Sequence, residues 1–332
     1  MKLLTPVALP PGLPSLTHQQ QLMLMGSCFA TEIGERLKRS GFKCEVNPYG
    51  VLYNPLSIAQ ALREVLAGKH YATSDLYEHG GLWHSPMHHG DFSAPTVDEA
   101  LDLINHRLEG ARRALDRLDV LLLTWGTAYV YEETTTGRVV GNCHKLPEGQ
   151  FKRRRLMVDE VVDDQEALFG DLLRLRPDLQ IIITVSPVRH VRDGLHENQL
   201  SKATLLLAID RLQTLHPATV HYFPAYEILT DELRDYRFYA TDMVHPSALA
   251  VDYVWERLAE TSFSPETRQV ASEYEALQRM LAHRPLHPDG EEYRRFLGQI
   301  LLKADQLSRK CPYLDLSFEK GLCHTRLSEL PK

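Results

Sequence analysis

Three short runs of the chain are apolar on both alternating faces: Leu22–Met25, Asp119–Trp125 and Gln180–Val185. A strand that shows water to neither side belongs inside a sheet covered by helices on both faces, which is the habit of parallel sheets. The segments between these runs have helical spacing. Strands alternating with helices give an α/β/α arrangement, and this is the fold expected here: a three-layer sandwich around a parallel sheet of about five strands. The two further strands are expected at Gly41–Val46 and Thr219–Phe223. Helices are expected at Ser57–Leu66, Thr96–Leu118, Asp159–Leu175, Gln199–Leu215 and Pro246–Leu258.

At the first run, Leu22-Met23-Leu24-Met25 passes through Gly26 into Ser27 and Cys28, and then into Thr31-Glu32-Ile33-Gly34-Glu35-Arg36-Leu37. That is a strand, a tight turn and a helix start. A hydroxyl or thiol there stands at the positive end of a helix, where free amides stabilise an anion. The plain alternative is a turn with a buried, inert thiol. In open parallel sheets ligands sit at the carboxyl ends of the strands. The first strand delivers Ser27 and Cys28 there, the second the Asn47–Asn54 loop, and the third Gly126 and Thr127. The fourth delivers Ser186, Arg189, His190 and Asp193. The last leads to Asp242-Met243-Val244-His245-Pro246. An early nucleophile and a late Asp-x-x-His are the parts of a hydrolase triad, with His245 as base and Asp242 orienting it. The alternative for Asp242 is a cap on the helix that follows.

The length of 332 residues allows one large domain with an appendage. A 43% hydrophobic and 24% charged composition is ordinary for a globular chain, and the net charge of −7 argues against nucleic acid as a partner. No apolar run reaches membrane-spanning length. Pro6, Pro10, Pro11 and Pro14 interrupt any leader-like segment, so a cytoplasmic location is expected, with residues 1–20 as an extended arm. Five scattered cysteines without a CxxC spacing suggest neither a disulfide framework nor a thiolate zinc site. Residues 21–262 are expected to form the α/β/α domain and 263–332 a helical extension.

Other segments leave alternatives open. The irregular insert 70–95 holds His70, His79, His84, His88 and His89 and reads as a functional or substrate-contacting loop. His84-x3-His88 has metal-ligand spacing on a helix, but the surrounding Gly80, Gly81, Pro86 and Gly90 disfavour a helix, and no metal is expected. Tyr129–Glu133 and Arg138–Cys143 suggest a hairpin, and Lys152–Arg155 a solvated basic loop. His144-Lys145 and Ser201-Lys202 could meet an anionic or sugar ligand. Ser201-Lys202 could equally be helix surface.

Several blocks together resemble the SGNH (GDSL-type) hydrolases. More closely, Gly26-Ser27-Cys28-Phe29-Ala30 resembles the signature of the GSCFA-domain family, a bacterial branch of that superfamily. The segments Asn47–Pro55, Gly126–Ala128, Asn142–Lys145, Ser186–His190, Ser201-Lys202 and Arg234–Tyr239 are similar to other blocks of that family, in order. The resemblance implies the α/β/α fold and a covalent acyl-enzyme. It puts Cys28 at the nucleophile position; a one-residue bulge would put Ser27 there. A thiol at a helix N-terminus beside a histidine is expected to have a lowered pKa. The superfamily's oxyanion asparagine is absent, since its place holds Ala128, so Thr127, Asn142 or Asn54 would replace it beside the backbone amides of Cys28 and Gly50. Gly126, His144 and His190 complete the expected substrate-binding set. The implied activity is ester hydrolysis, removing O-acyl groups from a small molecule or glycan without a cofactor. The alternatives are a thiol-dependent acyltransferase and a non-catalytic domain that binds a carbohydrate or acyl ligand.

Overall fold

The computed structural model describes residues 5–286 and 290–330. The ends of the expected N-terminal arm and helical extension, residues 1–4 and 331–332, and residues 287–289 lie outside the described residues. Five strands form the central sheet: β1 (Gln21–Gly26), β2 (Lys43–Val46), β3 (Leu118–Trp125), β4 (Gln180–Val185) and β5 (Val220–Tyr222). They run parallel in the order β5-β4-β3-β1-β2. The register sets Leu24 between Val46 and Leu122, and Leu123 beside Ile183.

The period of two explains why both faces of each strand are apolar. Met23, Met25, Leu121, Leu123, Ile181 and Ile183 point to one face. There they pack under α2 (Pro55–Leu66), α3 (Val97–Leu115), α4 (Val158–Leu175) and α5 (Leu195–Leu215). Leu22, Leu24, Val120, Leu122 and Ile182 point to the other face, under α1 (Cys28–Arg39) and α6 (Ala248–Ser262). Helix α1 contributes Phe29, Ile33 and Leu37, a stripe at spacings of four, all buried. Each such side chain contributes roughly 1.5–3 kcal/mol by leaving water. Among the described residues no helix is long and apolar enough to cross a membrane.

Three more helices follow: α7 (Pro265–Ala282), α8 (Glu291–Lys310) and α9 (Ser317–Glu329). They close around their own apolar cluster, which includes Leu277, Leu297, Ile300, Leu307 and Cys323. Ser40 joins them to the first layer by donating to Glu275 at 2.6 Å, and Gly41 passes face-on against the Tyr274 ring. The third of these helices has a weak apolar stripe and is not visible in the sequence pattern.

Two expectations need correction. The Lys152–Arg155 run is not a loop: Phe151–Arg155 is a strand, antiparallel to Tyr129–Glu133, which also pairs with Val139–Val140. Its charges are paired laterally, Arg154 with Glu132 and Arg155 with Glu197. The 70–95 insert is partly regular, with Tyr77–His79 pairing to Leu82–His84 through Gly80 and Gly81, both in left-handed conformation.

Candidate active site

Strand β1 lies between β2 and β3, so the chain leaves it first to one side and later to the other. The carboxyl ends of β1 and β3 therefore form the crevice where such sheets bind ligands. The turn after β1 is tightly determined. Gly26 has φ +145°, and a Cβ there would lie 2.1 Å from the Thr124 carbonyl oxygen. Its amide donates to Asn47 Oδ1 at 2.8 Å, while Asn47 Nδ2 donates to Thr31 at 2.9 Å. Ser27 is 1% exposed and caps α1, accepting from the Phe29 amide. Its hydroxyl donates to Ser186 Oγ at 3.0 Å. Cys28 is the first residue of α1 and is half-buried.

The expected lowering of the Cys28 pKa is overturned. Burial pushes the thiol up. The Phe29 and Cys28 amides and the Lys202 charge pull it back only in part. The helix end stabilises an anion here, but desolvation of the thiolate outweighs it.

Across the crevice, Asp242 and His245 form the expected pair. Asp242 Oδ2 accepts from His245 Nδ1 at 2.6 Å, leaving Nε2 free of it. Asp242 Oδ1 accepts from the amides of His245 (3.0 Å) and Val244 (2.9 Å). These amide bonds, then the imidazole, hold its carboxyl down to about 2. Met243 takes a left-handed φ of +57° to close the turn. Both side chains are about half exposed. The loop is anchored by the Arg189 amide, which donates to Val244, and by the Ala240 amide, which donates to the His245 carbonyl.

His245 lines a cavity of about 1000 Å³ with Tyr53, Asn54, Thr127, Asn142, His144 and His190. Ser27 and Cys28 are not among the residues that line it. His190 stands on both sides of this division. It lines the cavity, and its Nε2 lies 3.1 Å from where a Gly126 Cβ would be, a point 3.6 Å from Ser27 Cβ. That nitrogen is buried with no hydrogen-bond partner among the described residues. Burial, followed by the nearby Lys202 charge, brings the His190 pKa down to about 4, so the ring is neutral near pH 7. The His190 and Tyr53 rings meet in a T, with centroids 5.6 Å apart.

Of the expected anion-binding donors, several are engaged elsewhere. The Gly50 amide donates to Asn47 in a turn at 2.8 Å, which corrects its expected role. Gly126 and Thr127 both give their amides to the Tyr53 carbonyl, at 2.7 and 3.0 Å. Asn54 caps α2, accepting from the Ser57 amide and donating to its hydroxyl. The Thr127 hydroxyl is shared with Ser201 and accepts from the Tyr129 amide. Ala128 is fully buried and its amide donates to Ser201 Oγ. Asn142 accepts from the His144 amide through Oδ1, and His144 Nε2 donates to the Ser85 carbonyl. Burial lowers the His144 pKa. Among the described residues His190 Nε2 is the member of the expected set that is buried with no hydrogen-bond partner.

The histidine-rich insert serves as a wall. Pro86 accepts from the Gly141 and Asn142 amides, and the His89 amide donates to Tyr49. His84 uses both ring nitrogens, on Ser93 and on the His79 carbonyl. His88 is fully buried against Tyr49, bonded to Ser85, and desolvated to a pKa of about 3. Among the described residues no group of three or more His, Cys, Asp or Glu is placed to hold a metal.

Ser201 and Lys202 are not helix surface. The spacing Asn198, Ser201, Lys202, Leu205, Ala208, Ile209, Leu212 is the buried stripe of α5. That spacing was the available signal, since 201 and 202 fall on the same face as the apolar positions. Tyr53 carried no comparable signal, because its part comes from loop geometry: its carbonyl accepts from the Gly126 and Thr127 amides.

No curated protein matches the sequence. Two solved structures are similar in outline. One is described as a putative platelet activating factor from Streptococcus pneumonia, at 14% identity and a TM-score of 0.38, covering 74% of this chain and 84% of its own. The other is a carbohydrate esterase family 3 protein from Talaromyces cellulolyticus, at 9% identity and a TM-score of 0.35, covering 76% of this chain and 99% of its own. Residues 21–258 match the GSCFA family, and residues 274–329 match the C-terminal domain of GSCFA domain proteins. The chain belongs to the GSCFA family.

Proposed function

We propose that this protein is an SGNH-like ester hydrolase that forms an acyl-enzyme on Cys28, with His245 as proton carrier and Asp242 as its orienting acid. The observation that carries this reading is the preassembled Asp242–His245 pair, its Nε2 unclaimed by Asp242, on the wall of a cavity at the carboxyl edge of the sheet. Cys28 is favoured over Ser27 because the Ser27 hydroxyl is buried as a helix cap and bonded to Ser186, whereas Cys28 is only partly buried. In the reaction the Cys28 thiol loses its proton to His245 and attacks the ester carbonyl. His245 returns the proton to the departing alcohol, and a water repeats the sequence to free the acid. Because burial raises the thiol's pKa, the base is needed for attack and not only for release. Neutral His190 would donate to the oxyanion through Nε2, in the role that Ala128 cannot fill. An O-acylated sugar suits the tyrosine- and histidine-lined cavity.

The scarcity of free donors at the crevice favours a second reading, a binding domain with a weakened site. An aryl-acetate assay separates the two. Turnover in the wild type that is lost in His245→Ala and Cys28→Ala supports the hydrolase. Absence of turnover, with thermal stabilisation by acylated sugars, supports the binder. Fluorophosphonate and iodoacetamide labelling with peptide mapping assigns the nucleophile, and labelling of neither Ser27 nor Cys28 excludes the covalent route.

A further inference from the structure

Lys202 poses an energetic question. An ammonium removed from water costs several kcal/mol unless an anion offsets the loss. Lys202 is 1% exposed, and its Nζ donates to two backbone carbonyls, Gly126 at 2.6 Å and Ser186 at 2.7 Å. These carbonyls belong to the turns after β3 and β4, and Ser186 also holds the Ser27 hydroxyl. Among the described residues no carboxylate stands within ion-pair distance of Lys202. The groups that face it are the Cys28 thiol from α1, the His190 ring from the loop after β4, and the Tyr226 ring with its centre 5.7 Å away. Glu32 and Tyr53 are the other titratable groups whose charge is felt at the thiol. Histidine cannot supply an anion near neutral pH, and burial raises both tyrosines. The anion that can form beside this lysine is the Cys28 thiolate.

We propose that Lys202 is a positioning residue that ties the turns after β3 and β4 together and supplies the counter-charge for an anion formed at Cys28. This rests on the reading of Cys28 as the reactive group, but not on any turnover. An ammonium has three hydrogens. Two go to the carbonyls, so the third can leave without breaking either bond. Burial brings the lysine down to about 7 and pushes the thiol up. Below about 7 the lysine carries its charge and favours a thiolate at Cys28; above it that pull on the thiol is lost.

The test is the pH dependence of Cys28 alkylation by iodoacetamide, followed by peptide mapping. The thiol proton goes to solvent, the thiolate forms the S–C bond, and iodide leaves. Cys143 is the internal control: it lines the cavity, is half-buried, and is pushed up to about 11 by burial without a Lys202 contribution. Lys202→Met is expected to remove the inflection near 7 from the Cys28 profile, to slow Cys28 alkylation below it by about tenfold or more, and to leave Cys143 unmoved. Lys202→Arg, which fixes the charge, is expected to lower the Cys28 midpoint. If neither variant folds, the wild-type profile decides, since it should show an inflection near 7 from the lysine. A Cys28 profile that Lys202→Met leaves unchanged, equal changes at Cys28 and Cys143, or a wild-type profile with one ionisation overturns the proposal. Loss of aryl-ester turnover alone bears on the proposed function and not on this inference.

Discussion

The turn after β1 and the loop before α6 supply the two ends of the candidate site from opposite physical regimes. The turn is buried, locked by a glycine that nothing can replace, and carries a desolvated thiol beside a desolvated lysine. The loop is half-exposed, and its carboxylate is held low by backbone amides as much as by its histidine. In the first region burial sets protonation; in the second, hydrogen bonds do. The difference teaches that one candidate site can combine a desolvated thiol with an exposed Asp–His pair. It also means that damage at Gly26 and at His245 should read out differently, as stability at the first and as activity at the second.

The largest effect is expected at Gly26. A methyl group there meets the Thr124 backbone at 2.1 Å and φ is unfavourable for any side chain. Gly26→Ala is expected to lose about 4 kcal/mol or more of unfolding free energy, or to yield no folded protein. A urea midpoint within experimental error of the wild type would show that the turn is not rigid. His245→Ala is the contrasting case. Turnover of an aryl ester is expected to fall by on the order of 1,000-fold or more, while the exposed side chain leaves stability within about 0.5 kcal/mol. A drop in melting temperature as large as that of Gly26→Ala would erase the proposed contrast.

Lys202 sharpens the comparison through pH. Its folded pKa of about 7 lies below the 10.5 of a free lysine. Between these values the unfolded chain binds the extra proton, so stability rises with pH, by up to about 1.4 kcal/mol per unit. Below about 7 both states are protonated and this slope vanishes. Above about 9 the raised Cys28 thiol opposes it, because there the folded state holds the proton. Denaturant unfolding at pH 7, 8 and 9 should therefore show rising stability in the wild type and a flat response in Lys202→Met. Equal slopes in the two would mean that the lysine is not desolvated.

Much of the architecture was legible because it rests on period. The double-sided strands, the helices between them and the stripe on α1 follow from spacing alone. The Asp242–His245 turn was legible for a similar reason, since three residues suffice to close it. What escaped depends on distant partners. Arg154 and Arg155 read as solvated until Glu132 and Glu197 appear beside them from other elements. In the insert, His84 spends its ring nitrogens on Ser93 and the His79 carbonyl and His88 bonds Ser85, partners that spacing does not show. The sign of the Cys28 shift could not be read either, because a helix N-terminus is local whereas burial is made by parts of the chain distant in sequence.

The smallest effect is also the one that divides Ser27 from Cys28. The Ser27 hydroxyl accepts from the Phe29 amide and donates to Ser186. Ser27→Ala removes one helix cap and one buried hydrogen bond, an expected cost of about 1–2 kcal/mol. The Cys28 thiol and its amide are untouched, so aryl-ester turnover per folded molecule should stay within a few-fold of the wild type. Cys28→Ala should do the reverse, sparing most of the stability and removing turnover. If Ser27→Ala abolishes turnover while Cys28→Ala keeps it, the nucleophile is the buried cap. The deep turn would then have to open during catalysis, because Ser27 would have to release Ser186 before it could attack.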